Sequence, residues 1–582
     1  MTLVCCGLGI ATTRTIAIGP TFLLERNPLA VAPRSIDSTE VAGELQRLED
    51  ALTATREALR AVRDRIPRTT PVKVAEFIDS HLLMLEDAAL IDPARALIRE
   101  QLFGAEWALE YHRMSLVKVF EDMEDPYLRS RRDDVDHVVQ HILDFLLGGH
   151  IADRSEAADL RGCVVIAHDV SPADMVVLKH RHVAALVTEY GGPMSHTAIL
   201  AGNLNIPTVV GVRNATSYLR QGETVVVDGE AGSLLADVDA GILEHYQQRM
   251  QILEARKARL RRLVREPSLS ADGIPVSLLG NLDLPENTST IRANGAAGVG
   301  LYRTEFLYMN RDQPPNEEEH LATYLAVIRE LEGAPVTIRT LDLGMDKQID
   351  GSSVICSPVR NPALGLRAIR LCLKETGLFR TQLRAILRAS ASGPVQLMIP
   401  MLSSIQELDS VLALIEQVRR ELDHEGLTFD PHLPVGGMIE VPAAALCAAA
   451  FAHRLDFLSI GTNDLIQYTL AIDRMDDTLS YLYEPLHPAI LRLIRMTIRA
   501  GQSYDTPVSM CGEMAGNPRY LPLLLGLGLR ELSMQPGSLL EVKERVRDAY
   551  IARLECATEE LFMHLDTQEP QQLAEAIEHI CS

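Results

Sequence analysis

The chain has 582 residues and a net charge of −23, with 56 Lys and Arg against 79 Asp and Glu. At 47% hydrophobic and 23% charged residues its composition is that of an ordinary globular protein, long enough for several domains. The anionic surplus argues against general nucleic-acid binding and against docking on anionic lipid, both of which need excess cations. Nine scattered cysteines without a CxxC pair read as reduced thiols, which points to the cytoplasm. No apolar run approaches the roughly 20 residues of a membrane span, and no basic leader precedes the first apolar stretch.

In chain order, residues 1–35 hold short apolar runs punctuated by Gly and Pro and read as strands. Residues 36–146 are helical in pattern, with Leu45, Leu48, Leu52, Leu59 and Val62 at helical spacing. Val74 to Leu90 repeats that pattern, and Asp92-Pro93 interrupts it. Trp107, the only tryptophan, is expected to pack in this helical core. Residues 147–238 change rhythm. The runs Cys163–Ala167, Ala184–Thr188, Pro207–Val210 and Thr224–Val227 read as strands. Residues 239–267 read as a connector, one charged helix from Ile242 to Val264 stopped by Pro267.

From 268 to 582 strand-like and helical patterns alternate. The strand candidates are Val276–Gly280, Gly298–Tyr302, Val336–Leu341, Val395–Pro400, Val435–Glu440, Asp456–Ile460, Val508–Cys511 and Glu531–Met534. Eight parallel strands with crossover helices predict a (β/α)8 barrel.

Chemistry first surfaces at Gly191-Gly192-Pro193-Met194-Ser195-His196-Thr197, which follows a strand and opens a helical run. The glycines permit a tight turn and set His196 in the first helical turn, where free amides and the helix dipole favour an anion. Neutral imidazole is a competent nucleophile near pH 7, and a phosphoryl group on it would be stabilised there. Ser195 and Thr197 can hydrogen-bond the ring or the phosphoryl oxygens.

This run resembles the phosphohistidine loop of phosphoenolpyruvate-utilising enzymes. Nearly the whole chain resembles the enzyme I family of the bacterial phosphoenolpyruvate-dependent phosphotransferase system. The resemblance implies a multidomain α/β architecture. A swivelling phosphohistidine domain (1–35 and 147–238) carries an inserted helical subdomain (36–146). A linker helix (239–267) follows, then a (β/α)8 barrel (268–582) that binds phosphoenolpyruvate and dimerises. It implies that His196 is phosphorylated during turnover and that Ser171, where the family usually has Thr, supports its imidazole.

The segments that carry the resemblance in the barrel lie at strand ends: Leu301-Tyr302-Arg303-Thr304-Glu305-Phe306, Ile338-Arg339-Thr340-Leu341-Asp342, Asn361 to Arg367, Met438-Ile439-Glu440, Gly461-Thr462-Asn463-Asp464-Leu465 with Gln467-Tyr468, and Cys511-Gly512-Glu513-Met514-Ala515-Gly516. Arg303, Arg339, Arg367 and Arg474 offer planar forks for the phosphate and carboxylate of phosphoenolpyruvate. Asn463 can donate to the phosphate. Glu440 and Asp464 are hard oxygen donors suited to Mg²⁺. Cys511 is a candidate general acid that protonates the enolate of pyruvate.

The resemblance further implies that His196 delivers its phosphate to an HPr-like carrier, which docks on the helical insertion. There Ala75 to Asp87 mixes acids with large apolar residues, suiting a partner with a basic rim and an apolar centre. The domains must then swivel about the connector between the two half-reactions. Three departures from the family pattern stand out: Met345 after Gly344, Met475 after Arg474, and the opening segment Ala11-Thr12-Thr13-Arg14. The rival readings are a phosphoenolpyruvate-sensing regulatory paralogue with little turnover and a dikinase or synthase. The dikinase would need a nucleotide-binding domain, and no phosphate-cradling Gly loop precedes the phosphohistidine segment.

Overall fold

A computed structural model describes residues 3–9, 16–24, 31–65, 72–121, 126–147, 160–170, 172–191, 198, 201, 206–308, 313–343, 362–473, 482–565 and 570–581. The chain divides into two compact units, Met1–Ala255 and Arg256–Ser582.

In the first unit, eight described strands form one mixed sheet. They are β1 (Leu3–Cys6), β2 (Leu8–Gly9), β3 (Ile16–Leu24), β4 (Val164–Ala167), β5 (Ala185–Thr188), β6 (Thr208–Val210), β7 (Thr224–Asp228) and β8 (Ser233–Ala236), in the order β1-β8-β7-β3-β4-β5-β6-β2. Strands β3 to β6 run parallel, while β7 and β8 add an antiparallel flank. Every residue of β4 and β5 is buried. That is why Val-Val-Ile-Ala and Ala-Leu-Val-Thr read as continuous apolar runs rather than alternating ones.

Between β3 and β4 the chain builds a helical layer of α1 (Val41–Arg65), α2 (Val72–Met84), α3 (Ala88–Glu100), α4 (Ala105–Glu121) and α5 (Pro126–Leu146). Its core is separate from the sheet and includes Leu48, Leu52 and Leu59 of α1 with Val138, Val139 and Ile142 of α5. Pro93 sits inside α3 rather than ending a helix; Asp87 caps that helix by accepting from the amide of Ala89 at 2.8 Å. Trp107 is half-buried and packs its ring against Phe103 and Tyr111. Phe103 in turn packs against the helical core, so Trp107 lies at its aromatic edge; a ring this large seldom finds complete cover.

The connector helix runs Ala240–Arg262 and continues as a 3₁₀ turn, Leu263–Arg265. The unit boundary falls within it.

In the second unit, β9 (Ser277–Leu282), β10 (Val299–Tyr302), β11 (Val336–Arg339), β12 (Val395–Ile399), β13 (Val435–Ile439), β14 (Phe457–Ile460), β15 (Val508–Met510) and β16 (Glu531–Met534) close into a parallel barrel. β16 completes the ring by pairing with β9, Glu531 opposite Ser277. All eight expected strands are present. Several end one or two residues earlier than expected, so Leu341, Pro400, Glu440 and Cys511 lie just past their strands. Inside the barrel Leu301, Met398, Met438, Phe457 and Cys511 form a small apolar plug. Among the described residues no helix is long and apolar enough to cross a membrane.

Candidate active site

Parallel-barrel chemistry collects at the C-terminal ends of strands, where the loops are free to vary over a rigid frame. The polar residues of this barrel gather there. Arg339 is the last residue of β11 and is almost wholly buried. Its Nη2 donates to Glu305 at 2.8 Å and its Nη1 lies 3.0 Å from Asp342. Arg367, arriving from the loop before the helix Ala368–Lys374, donates to the same Asp342 through Nε at 3.1 Å and Nη2 at 2.8 Å. Its Nη1 lies 3.4 Å from the Tyr468 hydroxyl and 3.9 Å from Asp464. Arg303, just past β10, donates to Asp283 at 2.9 Å and is the most open of the three.

Burial pulls against the Arg339 charge, but Glu305, Asp342 and Glu440 around it more than offset that penalty and hold the guanidinium firmly protonated. For Arg367 burial is likewise outweighed by Asp342 and Asp464. Both arginines are therefore fixed cations in a water-poor setting, where their field on an anion is strongest.

Glu440 follows β13 and accepts from the Met401 amide at 2.6 Å. Burial first, then the charges of Asp464 and Asp342, push its carboxyl up to about 8. Burial and the two neighbouring carboxylates outweigh the pull of Arg339 on Glu440, and Glu440 with Asp464 offers hard oxygens for a further cation. Among the described residues no set of three His, Cys, Asp or Glu is arranged to hold a metal. Two carboxylates with remaining positions left to water and substrate suit a small divalent cation.

This crowding predicts a measurable linkage. Between the ordinary carboxylate value of 4.5 and about 8, the folded chain keeps the Glu440 proton that the unfolded chain releases. Stability should therefore fall as pH rises through that window in EDTA. Added Mg²⁺ should raise the melting temperature more at pH 8 than at pH 5. An equal rise at both would mean that this carboxylate does not meet the ion.

Cys511, directly after β15, is buried, with its Sγ 3.7 Å from the Ile460 carbonyl. Burial is the main force raising its thiol above the ordinary value; the neighbouring Ser459 hydroxyl, Arg339 and Arg303 act the other way. The net result keeps the proton on sulfur. Gly512 is required beside it, since a Cβ there would lie 1.9 Å from the Thr462 hydroxyl. Arg339 Nε, Thr340 Oγ1 and Thr462 Oγ1 are buried with no protein partner. Buried polar atoms of this kind take a water or a ligand as partner.

Asn463 is held by the loop after β15. Its amide donates to Glu513 at 2.9 Å and its carbonyl oxygen accepts from the Glu513 backbone at 2.9 Å, so it is engaged with the neighbouring loop. Sequence reading passed over Asp283 as a functional residue and gave no role to Glu305 or Asp342. The short spacing from Arg339 to Asp342 was the available signal, because a buried arginine needs a carboxylate close by.

Arg474 and Met475 lie outside the described residues, as do Gly344, Met345 and Ala11 to Arg14. So do His196, Ser195, Thr197 and Ser171. What flanks the histidine loop is described. Gly191, entering it, has φ +99°, open to glycine at little cost. Ala198 and Ala201 beyond it are helical and buried.

Three family descriptions match the chain in order: the N-terminal domain of PEP-utilising enzymes over residues 8–131, their mobile domain over 160–232, and their PEP-binding domain over 257–551. A phosphoenolpyruvate-protein phosphotransferase of Cupriavidus necator is 44% identical over 571 residues, covering 96% of this chain and 97% of that protein. One from Priestia megaterium is 39% identical over 572 residues, covering 98% and 99%. A solution structure of an enzyme I protein is 30% identical, covers 43% of this chain and 99% of that one, and superposes with a TM-score of 0.37.

Proposed function

The chain belongs to the phosphoenolpyruvate-protein phosphotransferase family of PEP-utilising enzymes, and from that membership we propose that it phosphorylates itself on His196 from phosphoenolpyruvate, releases pyruvate, and passes the phosphoryl group to a histidine of an HPr-like carrier, the first step of the phosphotransferase system. The observation that carries the reading is the buried array of Arg339 and Arg367 among carboxylates at the strand ends, beside a protonated Cys511.

Arg303, Arg339, Arg367 and Arg474 grip the phosphate and carboxylate, and Asn463 adds an amide donor once it leaves Glu513. A His196 nitrogen attacks phosphorus, the bond to the enol oxygen breaks, and the enolate of pyruvate departs. Its terminal carbon takes the Cys511 proton, and the thiolate recovers one from solvent. Glu440 and Asp464 would hold Mg²⁺, which when bound offsets charge on the substrate oxygens. Ser195 and Thr197 bond the phosphorylated ring or its oxygens, and Ser171 steadies the imidazole.

We assign residues 1–35 and 147–238 to the phosphohistidine domain, 36–146 to the carrier-docking subdomain, 239–267 to the linker and 268–582 to a barrel that pairs with a second copy. Within the docking segment Leu83 is 68% exposed on α2, an apolar group open to a partner. The eight described cysteines are all free thiols, in keeping with a reducing cytoplasm.

The test is incubation of the purified chain with Mg²⁺ and phosphoenolpyruvate labelled in its phosphate. The chain should acquire acid-labile, base-stable label and lose it to an HPr-like protein. Folded protein that takes up no label retires the reading. Cys511→Ala should slow steady-state pyruvate formation by about 10²–10⁴-fold. Pyruvate formation at the wild-type rate would remove Cys511 from the mechanism.

A further inference from the structure

The arginines of the barrel site share a carboxylate that the proposed reaction does not itself use. Asp342 has a side-chain exposure of only 3%. One of its oxygens receives both Nε and Nη2 of Arg367, at 3.1 and 2.8 Å, while the other faces Arg339 Nη1 at 3.0 Å. Its own backbone amide donates to Glu305 at 3.0 Å, and Glu305 is also the acceptor for Arg339 Nη2. Two arginines and two carboxylates are thus linked into one unit through Asp342 and Glu305.

The unit decides which face of each guanidinium is left for a ligand. Arg367 spends its Nε–Nη2 edge on Asp342 and leaves Nη1 beside Tyr468 and Asp464. Arg339 spends both terminal nitrogens on Asp342 and Glu305 and leaves its buried Nε without a protein partner. A carboxylate this short, bound on both sides, also sets the distance between the two cations.

We propose that Asp342 is a positioning residue: by bridging Arg339 and Arg367 it fixes the spacing and the exposed edges of the two guanidiniums so that they match the phosphate and carboxylate of one phosphoenolpyruvate. This rests on the reading that those arginines bind phosphoenolpyruvate. Simple charge neutralisation is a different role and makes the opposite forecast. Removing one negative charge without disturbing geometry would strengthen the binding of any anion, whereas loss of spacing penalises the two-headed substrate and spares a one-headed one.

The experiment uses the full chain, with steady-state pyruvate release and inorganic phosphate as a competing probe. Asp342→Asn is expected to lower kcat/KM for phosphoenolpyruvate about 100-fold, the scale of a misplaced binding group, while phosphate inhibits as well as or better than in the wild type. Asp342→Glu keeps the charge and lengthens the bridge by one methylene; it is expected to lose at least ten-fold. In an Arg367→Lys background, Asp342→Asn should cost under three-fold, because its action runs through the lost fork.

Wild-type kcat/KM in Asp342→Glu would overturn the proposal, as would tighter phosphoenolpyruvate binding in Asp342→Asn or full additivity with Arg367→Lys. Should Asp342→Asn fail to fold, Asp342→Glu and its cycle with Arg367→Lys still decide the matter. If Arg367→Lys alone leaves phosphoenolpyruvate turnover unchanged, the substrate-binding reading fails, and the positioning role falls with it.

Discussion

A His196→Ala chain is expected to take up no acid-labile label from phosphoenolpyruvate and to form no pyruvate above the uncatalysed rate. The effect should be total because the imidazole is the bond-forming atom itself. Removing a stabilising contact leaves residual catalysis, but removing the acceptor leaves the phosphoryl group nowhere to go. Asn463 and Thr462 of the barrel carry oxygens and amides, none a nucleophile of imidazole's strength near neutral pH. The barrel site is built from residues 283 onward, none of them in the histidine loop, so substrate binding should survive. Phosphoenolpyruvate should still raise the melting temperature of His196→Ala in the presence of Mg²⁺. Label on this variant would move the acceptor to another residue. Loss of both label and ligand-induced stabilisation would mean that the variant had damaged the fold rather than the chemistry.

Replacing Arg339 by Met should produce the second largest loss, and for two separable reasons. Arg339 is 8% exposed and faces Glu305 and Asp342. Taking away the cation strands the buried Glu305, while Asp342 keeps Arg367, a change worth about 3–5 kcal/mol of stability. It also removes a fixed positive charge from the place where phosphoryl charge shifts, which costs about 10³-fold or more in kcat. The double variant Arg339→Met, Glu305→Gln separates the two, because it leaves Asp342 paired with Arg367. With no stranded charge its melting temperature should recover most of the loss, while turnover stays at the level of Arg339→Met or below. Recovery of turnover together with stability would show that Arg339 serves folding alone.

Much of the barrel was legible because its strands are buried on both faces. Val336 to Ile338, Val395 to Ile399 and Val435 to Ile439 stand out as apolar runs separated by helical spacing, and the parallel order follows from that alternation. Strand ends were less legible. Arg339 closes β11 and Glu440 lies one residue past β13, and a ladder's last hydrogen bond depends on the neighbouring strand rather than on local composition. Trp107 shows the same limit in the helical layer. Core packing was the expectation, and the partners Phe103 and Tyr111, which place the ring at an aromatic edge, were not legible in the sequence.

The sequence by itself determined the order of the elements, the closure of eight strands and the reaction class, because hydrophobic period and short motifs such as Gly-Thr-Asn-Asp-Leu are local properties. Only the tertiary structure decided how the charges at the site are shared. Glu305 and Arg339 are 34 positions apart and Asp342 and Arg367 are 25 apart, yet each pair meets within 2.8 Å. The protonation of Cys511 and the raised carboxyl of Glu440 arise from the same source. Burial and neighbouring like charges act through space, and spacing along the chain does not record which distant side chains a closed barrel brings to its rim.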